Sequence, residues 1–340
     1  MRQYLITGGA GFIGANFVRY LYEHEENIRV RVLDKLTYSG NMDNLQDFIE
    51  RDDFEFIHGD ICDDAVVKQA MKDVNVIVNF AAEVAVDRSI KDQQSFLKTD
   101  VLGVHVLLEN VLKNKASIKR FIQISTDEVY GQILEGSFTE TSELKPRNPY
   151  SASKAGGERL AYSYFATYDL PIIITRASNN YGPWAYPEKV IPLFITNLFE
   201  DLQVPLYGEG SQIRDWLFVE DHCSAIYHLI NNGENGEVYN VGASEEYTNL
   251  ELTNMIVELV GKDSSYIKYV ADRPGHDFRY SLDTSKLEGT GWKAQYDLKT
   301  GLKKTVDWYS DNSVYWKKLK EKLDNRYVKG FWGEKEESIK

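Results

Sequence analysis

The chain has 340 residues, more than one ordinary domain needs, and its 43% hydrophobic content is enough to bury a sizeable core. With 39 basic against 52 acidic residues its formal net charge is −13, which excludes the basic face that a nucleic-acid groove requires. No apolar run approaches the length that crosses a bilayer, so no membrane partner is expected.

The two cysteines, Cys62 and Cys223, lie far apart without CxxC spacing. That argues against a disulfide framework and a thiolate metal site, and it suits a reducing, cytoplasmic setting. The six histidines form no HxxH or HExxH pattern, so no metal is expected. The first residues run straight into a strand, so no signal peptide is expected.

Residues 2–6 form a short apolar strand that leads into Thr7-Gly8-Gly9-Ala10-Gly11-Phe12-Ile13-Gly14 and then a helical pattern. Glycines at 8, 11 and 14 let the chain turn tightly, let a pyrophosphate approach the backbone and helix N-terminus, and let that helix pack on its strand. The next strand, residues 28–33, ends on Asp34, twenty positions past Gly14. An acid there accepts hydrogen bonds from an adenine ribose and repels a 2′-phosphate, which favours NAD over NADP. Strands at Phe54–His58 and 76–80 follow, with a helical pattern over 63–71 between them, the alternation of a doubly wound sheet. A helix over 93–113 carries apolar residues at 97, 101, 104, 107, 108 and 111, a stripe for the core or for a dimer.

The apolar run 121–124 then stops at Ser125-Thr126-Asp127-Glu128, placing hydroxyls and carboxylates just past the carboxyl end of a strand, where ligands bind in open α/β sheets. Pro149 suits a helix's first position, so Tyr150 and Lys154, four residues apart, share a face of its first turns. A phenol beside an ammonium is an acid/base device, since the positive charge favours phenolate. A sixth strand covers 171–175. Beyond it the alternation turns irregular: helices over 188–199, 221–231 and 249–260, a turn at 206–210 and a strand over 212–218 frame a smaller lobe. The tail, 313–340, alternates charges with Tyr315, Trp316, Tyr327, Phe331 and Trp332, which reads as a solvated helix pinned by its aromatics. The expected fold is α/β, a doubly wound parallel Rossmann sheet in residues 1–178 with a smaller, mixed C-terminal substrate lobe in 179–340, part of which returns to the sheet.

The strand-end hydroxyls, Tyr150-x-x-x-Lys154 and the N-terminal fingerprint together resemble the extended short-chain dehydrogenase/reductase family. STDEVYG, YSASKA, SNNYGP, IRDWLFVEDH and RPGHDFRY narrow the resemblance to the nucleotide-sugar 4,6-dehydratases, over roughly residues 4–309. The resemblance implies bound NAD, held by Gly8, Gly11, Phe12, Ile13, Gly14, Asp34, Lys35, Thr37, Asp60, Ile61, Ala81, Ala82, Glu83, Thr99, Ser125, Tyr150, Lys154 and Asn180. It implies catalytic roles for Thr126, Asp127, Glu128, Tyr150 and Lys154. A nucleoside-diphosphate sugar would meet Val84, Thr126, Asn179, Lys189, Tyr207, Arg214, Asn249, Arg273 and His276. It also implies a homodimer that pairs the helices near 93–113 and 150–168 into a four-helix bundle.

The implied reaction oxidises the sugar at C4, eliminates water across C5 and C6, and returns hydride to C6. Such an elimination needs one group to remove a proton and another to protonate the departing hydroxyl, and adjacent carboxyl groups of different burial can hold those two states. By resemblance Glu128 is the base at C5 and Asp127 the acid at C6. The implied substrate is dTDP-glucose, giving dTDP-4-keto-6-deoxyglucose, with UDP-glucose and UDP-N-acetylglucosamine as alternatives. At Val84-Ala85 the sequence departs from its relatives, which usually carry Ser-His there. An epimerase or a non-catalytic NAD-binding protein has no use for the Asp127-Glu128 pair.

Overall fold

The computed structural model describes residues 1–272 and 277–323. Its larger sheet takes β1 (Arg2–Thr7), β2 (Ile28–Asp34), β3 (Phe54–His58), β4 (Val76–Asn79), β5 (Arg120–Thr126) and β6 (Ile172–Ala177). β7 (Asn179–Tyr181), β8 (Val204–Tyr207) and β9 (Ile213–Phe218) lie outside it, β10 (Val238–Val241) rejoins it, and β11 (Glu246–Thr248) and β12 (Ile267–Val270) do not. The seven strands run parallel in the order β10-β6-β5-β4-β1-β2-β3, so the direction of winding reverses between β1 and β4. That reversal opens a crevice at the carboxyl ends of the strands.

Both faces of the sheet are covered, which is why its strands read as nearly continuous apolar runs. On one face Phe17, Val18 and Leu21 of the helix Phe12–His24 pack with Ala225, Ile226 and Leu229 of the helix Val219–Asn232. On the other, Leu107, Leu108 and Val111 of Val104–Lys113 meet Ala161 of Pro149–Tyr168. The smaller lobe joins the sheets β11-β9-β7 and β12-β8 to the helices Val190–Phe199, Asn249–Leu259 and Leu298–Asp311 around Phe194, Leu198, Ile256 and Leu302. No helix among the described residues is long and apolar enough to cross a membrane.

The helix Pro149–Tyr168 starts where the sequence places it. Pro149 occupies the first turn, and the Asn148 side chain accepts from Ser151 N at 2.9 Å while Ser151 Oγ accepts from Asn148 N. Such a cap contributes about 1 kcal/mol and fixes which residues open the helix. Farther along, Arg176 of β6 meets Glu158 through two bonds, Nη2 to Oε1 at 2.5 Å and Nε to Oε2 at 3.0 Å. The same guanidinium donates to Tyr130 Oη at 2.6 Å, and Tyr130 donates to Asn240 Oδ1 of β10 at 2.8 Å.

The helix predicted over 93–113 is continuous but not uniform. A π-helical stretch, Lys98–Gly103, separates Gln93–Leu97 from Val104–Lys113. The wider turn faces Asp100 inward, where its carboxylate accepts from Glu83 N at 3.0 Å and from Ser153 Oγ at 2.6 Å. The predicted apolar stripe divides accordingly: Val104, Leu107, Leu108 and Val111 are core, whereas Leu97 is exposed.

At this crossing Gly157 lets the two helices touch backbone to backbone, for a Cβ there would stand 2.2 Å from the Asp100 carbonyl oxygen. Gly157→Ala is expected to cost about 1–3 kcal/mol of stability by forcing the helices apart. A urea titration checks it, and an unchanged midpoint would remove Gly157 as the determinant of that approach.

Candidate active site

Every predicted site residue within the described residues lines one cavity of about 510 Å³, which runs from the glycine-rich turn across the ends of β1, β4 and β5 into the smaller lobe. The predicted Arg273 and His276 lie outside the described residues. The cavity is also lined by Asn44, Trp184, Tyr186, Trp216, His222 and Tyr315, which the sequence reading did not select. Trp216 and His222 sit inside the IRDWLFVEDH run, so their signal was present; Asn44 and Tyr315 carry none that is local.

The cofactor half is shaped by close backbone approach. Gly8 sits at φ +68°, and a Cβ on it would stand 2.7 Å from Ala81 N; one on Gly14 would stand 2.5 Å from the Gly8 carbonyl oxygen. The turn therefore presents bare backbone to the cavity. Asp34 caps β2 with its carboxylate accepting from Ala10 N at 2.9 Å and Leu36 N at 2.7 Å. Burial raises its pKa and those two backbone donors pull it back. Lys35 and Asp60, both expected to hold the dinucleotide, pair with each other at 2.8 Å. Among the described residues, Ser125 Oγ and Asn179 Oδ1 are buried in the cavity wall without a hydrogen-bond partner, acceptors and donors that a polar ligand would satisfy. A turn of bare backbone, an acid at the next strand end and unmatched polar atoms along the wall fit a nicotinamide dinucleotide.

In the reacting half, Thr126 Oγ1 bonds Asp127 Oδ1 at 3.0 Å and accepts from Glu128 N at 3.3 Å, which tightens the chain into a short 3₁₀ turn as β5 ends. The two acids then part company. Asp127 is only 4% exposed. Burial, and next the Glu128 charge, push its pKa up to about 7. Glu128 is half-buried and accepts from Asn148 Nδ2 at 3.2 Å, so the helix cap that orients Tyr150 also holds this carboxylate.

The expected action of Lys154 on Tyr150 takes a different form. The Lys154 ammonium is buried and donates to the Ile124 carbonyl oxygen at 2.8 Å, with burial lowering its pKa and Asp100 and Glu158 opposing. Burial raises the Tyr150 pKa well above its ordinary value, followed by the charges of Glu128, Asp100 and Asp127, while the Thr126 hydroxyl works the other way. The protein's own groups thus favour the Tyr150 phenol, first through burial and then through three nearby carboxyl groups. Asp100, buried beneath this pair, has its own pKa pushed up to about 6 by burial, against the pull of Lys154 and Ser153. On the lobe side, Arg214 donates to the carbonyl oxygens of Ile213 at 2.7 Å, Asp277 at 2.8 Å and Phe278 at 3.1 Å, which fixes a guanidinium at the cavity wall. His222 is fully buried, bonded through Nδ1 to Asn180 Oδ1 at 2.9 Å, and burial drops its pKa to about 3, so it is neutral at working pH.

Residues 5–305 match the family model described as GDP-mannose 4,6 dehydratase. A low-salt glycan biosynthesis protein, Agl12, from Haloferax volcanii is 48% identical over 90% of this chain and 97% of its own length. A dTDP-glucose 4,6-dehydratase from Streptomyces niveus is 47% identical over 93% of this chain and 95% of its own. The crystal structure of a dTDP-glucose 4,6-dehydratase from Bacillus anthracis in complex with NAD superposes with a TM-score of 0.88 at 46% identity, covering 94% of this chain and all of that one. Family match and near-half identity along almost the whole length agree with the cavity built above: the chain belongs to the GDP-mannose 4,6-dehydratase family of nucleotide-sugar dehydratases, and its likeness within that family is to the dTDP-glucose 4,6-dehydratases.

Proposed function

We propose that the chain is an NAD-dependent hydro-lyase that converts dTDP-glucose to dTDP-4-keto-6-deoxyglucose. The observation that carries this reading is the Asp127-Glu128 pair: two neighbouring carboxyl groups of unequal burial, in one cavity with Tyr150 and Thr126. A pure redox reaction at C4 needs neither acid. The likeness to dTDP-glucose 4,6-dehydratases supports the sugar and the base.

The glycine-rich turn, Asp34, Asp60, Ser125 and Lys154 would hold the dinucleotide. Bound there, NAD would supply a hydride acceptor for sugar C4, a donor for C6 and, when oxidised, positive charge beside Tyr150. Ionised with the help of that charge and of Lys154, Tyr150 takes the proton of the C4 hydroxyl while Thr126 bonds the same oxygen. Glu128 removes the proton from C5, acidified by the new C4 ketone. Asp127, still protonated, delivers its proton to the C6 hydroxyl, which leaves as water. Lys189 and Arg214 meet the diphosphate, and Tyr207 and Asn249 the nucleoside side of the cleft; a guanidinium already fixed by three carbonyls loses little freedom on binding phosphate. The sheet domain then serves the cofactor and the smaller lobe the nucleotide sugar. The setting is cytoplasmic.

Mass spectrometry after incubation with dTDP-glucose tests the reading: loss of one water, with no net consumption of NAD, is expected, and recovery of unchanged substrate would refute it.

The steps separate by mutation. Asp127→Asn should leave C4 oxidation nearly intact and slow elimination by about 10² to 10⁴, since an amide cannot protonate a leaving hydroxyl. Reduced cofactor should therefore build up on mixing with substrate. Tyr150→Phe should suppress that absorbance altogether. Equal loss of cofactor reduction in both variants would make the acids positioning groups.

Asp127 must keep its proton to act. With its pKa near 7 in the folded protein, the protonated fraction falls as pH rises through 7, and water loss should slow by about tenfold per unit well above it. A pH profile of water loss that stays flat to pH 9 would exclude Asp127 as the acid.

The protein is expected to form a homodimer through the outer faces of the helices that carry Leu97, Leu102 and Tyr162, which stand 56%, 47% and 42% exposed. Three large apolar side chains on adjoining helices are a poor surface to leave in water. Light scattering at working concentration checks this, and a monomer would contradict it.

A further inference from the structure

The helix Ser313–Lys322 reaches back to the glycine-rich turn through two hydrogen bonds in series. Ala10 lies in that turn. Asp34 accepts from its amide at 2.9 Å, and Asn44 Nδ2 donates to its carbonyl oxygen at 2.8 Å. Asn44 is 2% exposed, and its remaining amide oxygen accepts from Tyr315 Oη at 2.8 Å. Both Asn44 and Tyr315 line the cavity.

The far end of this chain is anchored. Trp316, the next residue, is buried in the core of the smaller lobe and donates Nε1 to the Tyr309 carbonyl oxygen at 2.8 Å. The Tyr315 ring stands edge-on to Trp184 and Trp308, at 5.1 Å and 5.3 Å between centroids. Its hydroxyl is thus delivered to Asn44 by a helix that cannot swing away without opening that core. One turn later Lys318 pairs with Asp43 at 2.6 Å, but both side chains are exposed and such a pair contributes little.

We propose that Tyr315 is a positioning residue for cofactor retention: acting through Asn44, it holds the Ala10 peptide, and with it the phosphate-facing turn, in the conformation that grips a nicotinamide dinucleotide. The inference rests on the reading of this cavity as an NAD site. A reaction that takes a hydride from the sugar and gives it back requires the dinucleotide to stay bound between the two transfers, and a brace from the lobe that holds the sugar serves that need. Losing the phenol hydroxyl leaves the buried Asn44 oxygen without its donor and weakens its hold on Ala10, whose carbonyl oxygen otherwise accepts only from Asn41 N at 3.0 Å among the described residues.

The test uses holoenzyme and measures NAD content over time after rapid desalting, alongside thermal stability. Tyr315→Phe keeps the ring in its aromatic contacts and removes only the hydroxyl. It should lose NAD roughly fivefold to tenfold faster than wild type, with a melting temperature close to wild type and turnover restored by added NAD. Asn44→Ala should behave alike, while Lys318→Ala should retain NAD as wild type does. Unchanged NAD release in Tyr315→Phe overturns the inference, as does a loss of stability and activity that added NAD does not restore. Wild type that neither carries nor takes up NAD would instead bring down the reading of the cavity itself.

Discussion

The bidentate pair of Arg176 with Glu158 sets the register on which the chemistry depends. Arg176 stands opposite Ser125 in the pairing of β6 with β5, and Glu158 lies one helical turn beyond Lys154. The pair therefore ties the helix that carries Tyr150 and Lys154 to β6, the neighbour of the strand that ends in Ser125 and Thr126. Both groups are almost wholly buried. Removing one partner would strand the other charge in the interior at about 3–5 kcal/mol, so the helix has one position along the sheet and the phenol has one place to stand. Tyr130 extends the same network to β10, so the edge strand contributed by the later chain is also held to it.

Given that register, the electrostatics of the chamber follow from the groups gathered there, which are mostly acids: Asp100, Asp127 and Glu128 around one phenol. Each raises the cost of ionising its neighbours, so the chamber favours protonated groups. In this strongly acidic protein, cations still reach the cavity wall, with Arg214 fixed by three backbone carbonyls and Lys189 just before the helix Val190–Phe199.

The sheet was legible because its strands are β-branched runs of ordinary length, and the cofactor turn because glycine spacing has a geometric cause that a Cβ test makes plain at Gly8 and Gly14. The site at the end of β5 was legible because a strand that stops on hydroxyls and carboxylates exposes them in one direction. Other features escaped because their causes are not local. Val238–Val241 is too short a run to be told from a loop or a buried helix segment. The ammonium of Lys154 was read from its spacing to Tyr150, yet the carbonyl of Ile124, thirty residues away, takes it first. Tyr315 meets Asn44 across 271 positions, which no periodicity reports. Asp100 could have been found, since an acid on the inward side of an apolar helix, four residues before Val104, asks for an explanation.

The π-helical stretch Lys98–Gly103 amounts to one residue more than a regular helix would hold over the same rise. Deleting a single residue there would restore an ordinary turn over the same rise, so Val104, Leu107, Leu108 and Val111 would still face the core, but the wide turn that aims Asp100 inward would be gone. The helix is held on both sides, by Asp100 bonded to Ser153 of Pro149–Tyr168 and by its apolar residues on the sheet. The spare residue therefore separates two demands on one helix: the core face keeps its periodicity while a carboxylate is turned under Tyr150 and Lys154.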